Sequence, residues 1–320
     1  MNAQSKRIFF TLNKFVEMNL RTLVSTVFST VHRCFSSNAQ SLPGFNYILL
    51  SQPQEHVVHV TLNRPEKMNA LNELFWREIG ECFQYLSTYG KCRAIVLSAN
   101  GRTFCSGIDF NDLAKFASIA YNADEDVARR AFKLRSMIQK FQNSFTTLEK
   151  CSKPIIAAIN GNCIGAGVDL ICAADIRYCS DDASFQIREV DIGMAADVGT
   201  LQRLPKIVGN HSLMRELAFT ARSMLAEEAL EFGLVNRKFN SHSELVDASL
   251  QIAAKIAAKS PVAVQGTKLE LNYARDHPVD DSLHSVANWN MCMLQSEDVM
   301  KAASVTINRE KNEAVTFDTL

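Results

Sequence analysis

KPIIAAINGNCIGAGVDL, residues 153–170, changes character partway along. Ile155 to Ile159 is an unbroken apolar run of strand length, opened by Lys153-Pro154 and closed by the turn pair Asn160-Gly161. Gly165-Ala166-Gly167 then leads into VDLICAA (168–174), which reads as a helix, and DIRYC (175–179) follows as another short strand. Strand, glycine-bearing junction, helix and strand in that order imply an α/β fold with parallel pairing.

The same order occurs upstream. RAIVLS (93–98) is a short apolar strand ended by Asn100-Gly101, and the small-residue junction TFCSGID (103–109) follows it. LNELFWREIGECFQYLST (71–88) places Leu71, Leu74, Phe75, Ile79, Cys82, Phe83 and Leu86 at helical spacing. Residues 45–51 and the β-branched run 56–62 read as a hairpin across the polar turn Gln52–Glu55, broken by Asn63-Arg64-Pro65. His56 and His59 fall on opposite faces of that second strand, which argues against a shared metal. Further helices are predicted over 124–149, 212–233, 245–259 and, after Ser260-Pro261, to about residue 312. The expected domain order is a leader at 1–41, a core at 42–255 and a helical C-terminal region at 256–320.

The chain of 320 residues, 47% hydrophobic, is long enough to bury a sizeable core. Its 34 basic and 34 acidic residues balance, which argues against nucleic-acid binding through bulk charge. No apolar run reaches the roughly 18 residues of a membrane span. The nine cysteines form no CxxC and no zinc spacing, so they read as reduced, buried thiols, and Cys105 as a small packing residue. Residues 1–54 hold one acid, Glu17, against Lys6, Arg7, Lys14, Arg21 and Arg33. The run from Met18 has Arg, Ser and Thr without acids, which fits a mitochondrial transit peptide. The final Phe317-Asp318-Thr319-Leu320 is not the S-K-L peroxisomal address.

Two junctions could do chemistry. TFCSGID (103–109) and CIGAGVD (163–169) each follow a strand and open a helix, where the first amides have no intrahelical partner and carry partial positive charge. Two such amides converging on one point would hold a carbonyl oxygen as charge develops on it. The competing reading is tight helix–sheet packing. Three acids lie beside or downstream of them: Asp169 one turn into the second helix, Glu189 in SFQIREVDIG, and Asp197 among the small residues of GMAADVG. Carboxyls close together in apolar surroundings have raised pKa values and suit proton transfer near neutrality. Equally, the same acids could cap helices or pair with Arg177, Arg188 or Arg203; spacing alone leaves both readings open.

VTLNRPEKMNAL (60–71), SANGRTFCSGIDF (98–110) and KPIIAAINGNCIGAGVDL (153–170) together resemble the enoyl-CoA hydratase/isomerase, or crotonase, family. The segment 174–210 is most similar to members that shift double bonds, and the resemblance spans about 45–315. It implies a crotonase (ClpP/crotonase-like) spiral of repeated ββα units with a helical C-terminal oligomerisation region, assembled as a homotrimer or homohexamer. The amides of Ile108 and Ala166 would form the oxyanion hole for a fatty acyl-CoA thioester. Asp197 would take a proton from C2 and Glu189 deliver one at C6, converting a 3,5-dienoyl-CoA to a 2,4-dienoyl-CoA in β-oxidation of unsaturated fatty acids. Asp169 stands where hydratases carry a Glu that helps hold water. Lys67, Met68 and Ala70 match the turn that meets the nucleotide end of coenzyme A; Ser106, Gly107 and Asp109 flank the first amide; Arg64 and Lys268 are candidate phosphate neighbours. No metal or redox cofactor is implied, coenzyme A being part of the substrate. The alternatives are 2-enoyl-CoA hydration and a non-catalytic RNA-binding role on the same frame. The leader and the C-terminus together point to the mitochondrial matrix rather than the peroxisome.

Overall fold

The computed structural model describes residues 42–307 and 315–320. The expected transit peptide at 1–41 and the end of the C-terminal helix expected to about 312 lie outside them. The fold described is that of the unit Gly44–Leu320.

Ten strands run in chain order: β1 (Ile48–Gln54), β2 (Val57–Leu62), β3 (Ala94–Ala99), β4 (Thr103–Cys105), β5 (Ile155–Ile159), β6 (Asn162–Ile164), β7 (Ile176–Ser180), β8 (Ser184–Gln186), β9 (Met224–Leu225) and β10 (Arg237–Phe239). Between and after them come α1 (Glu73–Thr88), α2 (Phe110–Ala120), α3 (Val127–Lys150), α4 (Ala166–Cys172), α5 (Thr200–Ile207), α6 (His211–Thr220), α7 (Ala226–Phe232), α8 (His242–Ala257), α9 (Pro261–Ala274), α10 (Val279–Met293) and α11 (Glu297–Ile307).

The strands form two sheets. The larger has the order β1-β2-β3-β5-β7-β10, and the smaller β4-β6-β8-β9. The chain repeats one move: a long strand enters the large sheet, a three-residue strand enters the small one, and a helical turn follows. β3/β4, β5/β6 and β7/β8 each make this move, and within each sheet these strands pair in parallel. This is the spiral of ββα units. β3 and β5 are buried along their whole length, which explains their unbroken apolar sequences. α8 covers one face, where Leu245, Ala253 and Ala257 pack with Val57, Val96, Ile156, Ala158 and Tyr178.

Several boundaries move for local reasons. The helix expected from residue 71 starts at Glu73, because Asn72 is its cap and accepts from the Phe75 amide at 2.9 Å. The helix expected from 124 starts at Val127 behind the cap Asp126. The single helix expected over 212–233 is two, split where Ala221 turns left-handed and β9 pairs with β8. The long C-terminal helix is three, interrupted at Pro278 and around Leu294–Ser296. The domain boundary expected at 255/256 falls inside α8.

α9 is fastened to the sheet by a buried ammonium. Lys268 Nζ meets Asp175 Oδ2 at 2.7 Å and the Lys153 carbonyl at 3.0 Å, and the same Asp175 oxygen accepts from the Ile155 amide at 2.7 Å. Removing one partner of a buried pair strands the other. Lys268→Met should therefore lower unfolding free energy by about 2 kcal/mol in urea titrations, the partial exposure of Asp175 keeping the loss below that of a fully buried pair.

Candidate active site

The two amide junctions lie side by side because β4 and β6 pair in parallel, so both chains leave the small sheet from the same end. Gly107 (φ +91°) and Gly165 (φ +53°) both occupy backbone conformations that favour glycine. A β-carbon on Gly107 would stand 3.2 Å from the Ile164 carbonyl oxygen and 3.8 Å from the Ala166 nitrogen. One on Gly165 would stand 3.0 Å from Glu189 Oε1 and 4.0 Å from Gly107 Cα. The loops and the Glu189 carboxylate are thus in contact.

Both expected donors are open. Leu71 bridges the first loop in parallel fashion, donating to the Gly107 carbonyl at 2.8 Å and accepting from the Asp109 amide at 3.0 Å. In that pattern the amide of the intervening residue, Ile108, points away from Leu71. Ala166 is the first residue of α4, and the first donors to bond within that helix are Val168 and Asp169, both to the Gly165 carbonyl. The pair can hold a carbonyl oxygen.

A buttressed turn stands against the first loop. Lys67 and Met68 are exposed, Ala70 is half-buried, and the Ser106 amide donates to the Met68 carbonyl at 3.1 Å. Asn69, fully buried at φ +54°, accepts from the Arg64 amide and donates to the carbonyls of Asn100 and Thr103. Three residues expected at the substrate edge have structural partners in the fold. Arg64 is buried, bonding the Ala70 carbonyl at 2.8 Å and Asp109 at 2.7 Å. Asp109 caps α2 through the Asn111 amide, which with the Arg64 guanidinium holds its carboxyl below the usual range. Lys268 is committed to Asp175. Arg64, Asp109 and Lys268, expected at the coenzyme A edge, each carry a charge that is already paired inside the protein. Cys105 is fully buried, its thiol pushed up to about 12 by burial, as suits a packing residue.

The acids settle the ambiguity left by spacing. Arg188 reaches Asp191, Arg203 pairs with Glu149, and Arg177 donates to the carbonyls of Leu234 and Ala174. None of the three arginines neutralises Asp169, Glu189 or Asp197. The capping reading holds in part, for Asp169 Oδ1 accepts from the Thr200 amide at the start of α5, at 2.5 Å. Asp169 Oδ2 and Glu189 Oε2 are buried without a partner among the described residues. Burial, then the charge of Glu189, pushes Asp169 up to about 7. Glu189 is raised by burial and by the charge of Asp197, against its own and the Arg188 amides. Asp197 is raised by burial, against its own amide. Carboxyls so placed exchange protons near neutral pH.

Sequence reasoning did not find Leu71, Asn69, Thr200 or Gln142, whose Nε2 donates to the Asp197 carbonyl at 2.7 Å. Asn in a turn hints at a left-handed residue. The other three act through backbone atoms or from a distant helix and leave no local signature.

The buried Asp169 has a consequence for stability. Its folded pKa lies above its unfolded one, so folding disfavours the ionised form. Stability is greatest below about 4 and falls as pH rises toward about 7, by on the order of 4 kcal/mol in all. Asp169→Asn keeps an acceptor for Thr200 and removes the charge. It should be more stable than the parent at pH 8 and similar at pH 4 in thermal unfolding.

Comparisons agree with this geometry. The chain is 50% identical over 311 residues to the mitochondrial delta(3,5)-delta(2,4)-dienoyl-CoA isomerase of Rattus norvegicus, covering 94% of each chain. It is 44% identical over 264 residues to the peroxisomal delta(3,5)-delta(2,4)-dienoyl-CoA isomerase of Arabidopsis thaliana, covering 82% of this chain and 94% of that one. Its fold matches the crystal structure of an enoyl-CoA hydratase from Bacillus anthracis with TM-score 0.76 and 24% identity, over 85% of this chain and 99% of the other. The profile of the enoyl-CoA hydratase/isomerase family matches residues 52–315, and the chain belongs to that family.

Proposed function

We propose that this protein is a delta(3,5)-delta(2,4)-dienoyl-CoA isomerase of unsaturated fatty acid β-oxidation. The observation that carries the reading is one buried acid, Asp169, and two half-buried acids, Glu189 and Asp197, none paired with a cation among the described residues, beside two open amides.

The amides of Ile108 and Ala166 receive the thioester oxygen, each donor to a developing oxyanion being worth about 3 kcal/mol. Asp197 takes the C2 proton, and the electron pair delocalises from the thioester oxygen through C2 and C4 to C6. Glu189 delivers its proton at C6, so both double bonds move in one cycle. The environment supports these roles: burial raises both carboxyls, and the charge of Asp197 raises Glu189 further, which favours Glu189 as the proton donor. Between these acids Val190, Ile192 and Met194 are exposed, an apolar patch suited to an acyl chain. Lys67, Met68, Ala70, Ser106 and Gly107 form the continuous edge along which coenzyme A would lie. No metal or redox cofactor enters this cycle, because every proton has a side chain to carry it. Hydration is less well served: one Asp169 oxygen is occupied by Thr200, which leaves one for a water. Charge neutrality gives no support to an RNA-binding role.

The basic, acid-poor leader and the mitochondrial relative support a mitochondrial protein, acting in the matrix. Exposed Leu271 on α9, Leu283 and Met291 on α10 and Leu294 at its C-terminal cap, together with the family, support a homotrimer or homohexamer.

Purified protein given a 3,5-dienoyl-CoA should produce the absorbance of a conjugated 2,4-dienoyl-CoA. Asp197→Asn and Glu189→Gln should each lower kcat by roughly a hundredfold or more, the usual range for a positioned acid or base. Full activity in Asp197→Asn, or fast water addition to crotonyl-CoA by the parent, would contradict the reading.

A further inference from the structure

Among the described residues the Asp197 carboxylate meets only its own amide and no other side chain or cation, so its main chain sets its aim. It stands between Gly193 and Gly199, both with positive φ, in a segment that would otherwise bend easily. Yet the backbone is gripped at three successive points. The Asp197 carbonyl accepts from Gln142 Nε2 at 2.7 Å. The Val198 carbonyl accepts from the Arg203 guanidinium at 3.4 Å. The Thr200 amide donates to Asp169.

One of these grips, Gln142, comes from α3, and the same face of α3 holds a second, Arg203 of α5. Gln142, Thr146 and Glu149 recur at intervals of four and three residues, one helical stripe. Thr146 Oγ1 donates to the Gln142 carbonyl at 2.7 Å and accepts from Arg203 at 3.2 Å, and Glu149 holds Arg203 at 3.0 Å and Arg275 at 2.6 Å. Only a donor satisfies the Asp197 carbonyl, which fixes the orientation of the Gln142 amide. The stripe and Asp197 line one cavity of about 380 Å³.

We infer that Gln142 is a positioning residue that aims the Asp197 carboxylate at the substrate carbon, with Arg203 as a second grip on the same loop. This rests on Asp197 acting as the base. Misplacing a catalytic group by about 1 Å costs on the order of a hundredfold, whereas substrate binding elsewhere is untouched.

The test is a double-mutant cycle with the 3,5-dienoyl-CoA substrate. Gln142→Met removes the donor at similar volume. Alone it should lower kcat roughly tenfold to a hundredfold with KM changed less than about twofold, and move the acid limb of the kcat–pH profile. In the Asp197→Asn background it should have no further effect, because the group it aims is gone. An equal fall in both backgrounds, or no fall in the parent, overturns the inference while leaving the base assignment standing. Full activity in Asp197→Asn alone overturns the base assignment instead. Should Gln142→Met fail to fold, Gln142→Asn keeps the amide one methylene short of the carbonyl, and the same cycle must show a fall confined to the parent background.

Discussion

The contact between the Gly107 and Gly165 loops is the constraint on which the active site depends. A side-chain carbon would be tight at both glycines, 3.2 Å from the Ile164 carbonyl oxygen at Gly107 and 3.0 Å from Glu189 Oε1 at Gly165. Two consequences follow. The open amides of Ile108 and Ala166 sit on adjoining loops, and the Glu189 carboxylate lies against their backbone. A methyl group at either glycine would strain the backbone; at Gly107 it would also press on the Ile164 carbonyl of the neighbouring loop, and at Gly165 on the Glu189 carboxylate. The contact in turn requires the small sheet. β4, β6 and β8 are three residues each, too short to be stable alone, and each is held because the preceding long strand is locked in the ladder of the large sheet.

Electrostatics adds a second constraint. A buried carboxylate without a cation is costly, and evolution usually pairs it. Here the nearby arginines are all engaged: Arg203 by Glu149, Arg188 by Asp191, Arg64 by Asp109. The protein thus neutralises its structural acids and leaves Asp169, Glu189 and Asp197 without counter-charge. Stability is given up where reactivity is needed, the usual relation between an active site and its fold.

The central stretch 153–170 was readable because its elements follow strong local rules: a buried parallel strand is continuously apolar, and Asn160-Gly161 must turn. α1 was readable for the same reason, through its periodic apolar face. The second sheet was not, because three residues are too few to show an alternation, and its partners come from distant parts of the chain. α2 escaped too, with the exposed Phe110 at its start obscuring the amphipathic pattern. In the site, the positions of the acids were readable and their pairing was not. Whether Arg203 meets Asp197 or Glu149 is decided by which helix crosses the loop, and no local pattern encodes that. Arg64 and Lys268 illustrate the same point: their carboxylate partners Asp109 and Asp175 lie far away in sequence, so the pairing has no local signature.

The architecture divides the reacting groups between two supports. α4 carries the Ala166 amide and, one turn later, Asp169, so oxyanion donor and buried acid move together. Asp197 belongs to a different support, suspended between α3 and α5. Glu189, in the short helical turn after β8, lies against Gly165 and thus belongs to the α4 side. The bond from Asp169 Oδ1 to the Thr200 amide is the one direct polar link described between α4 and the Asp197 segment. Asp rather than Glu at this position has a structural reason as well as a chemical one. A carboxylate one methylene longer would place its oxygen past the first amide of α5, or displace that helix and Asp197 with it. Asp169 therefore also ties α4 to the segment that carries Asp197.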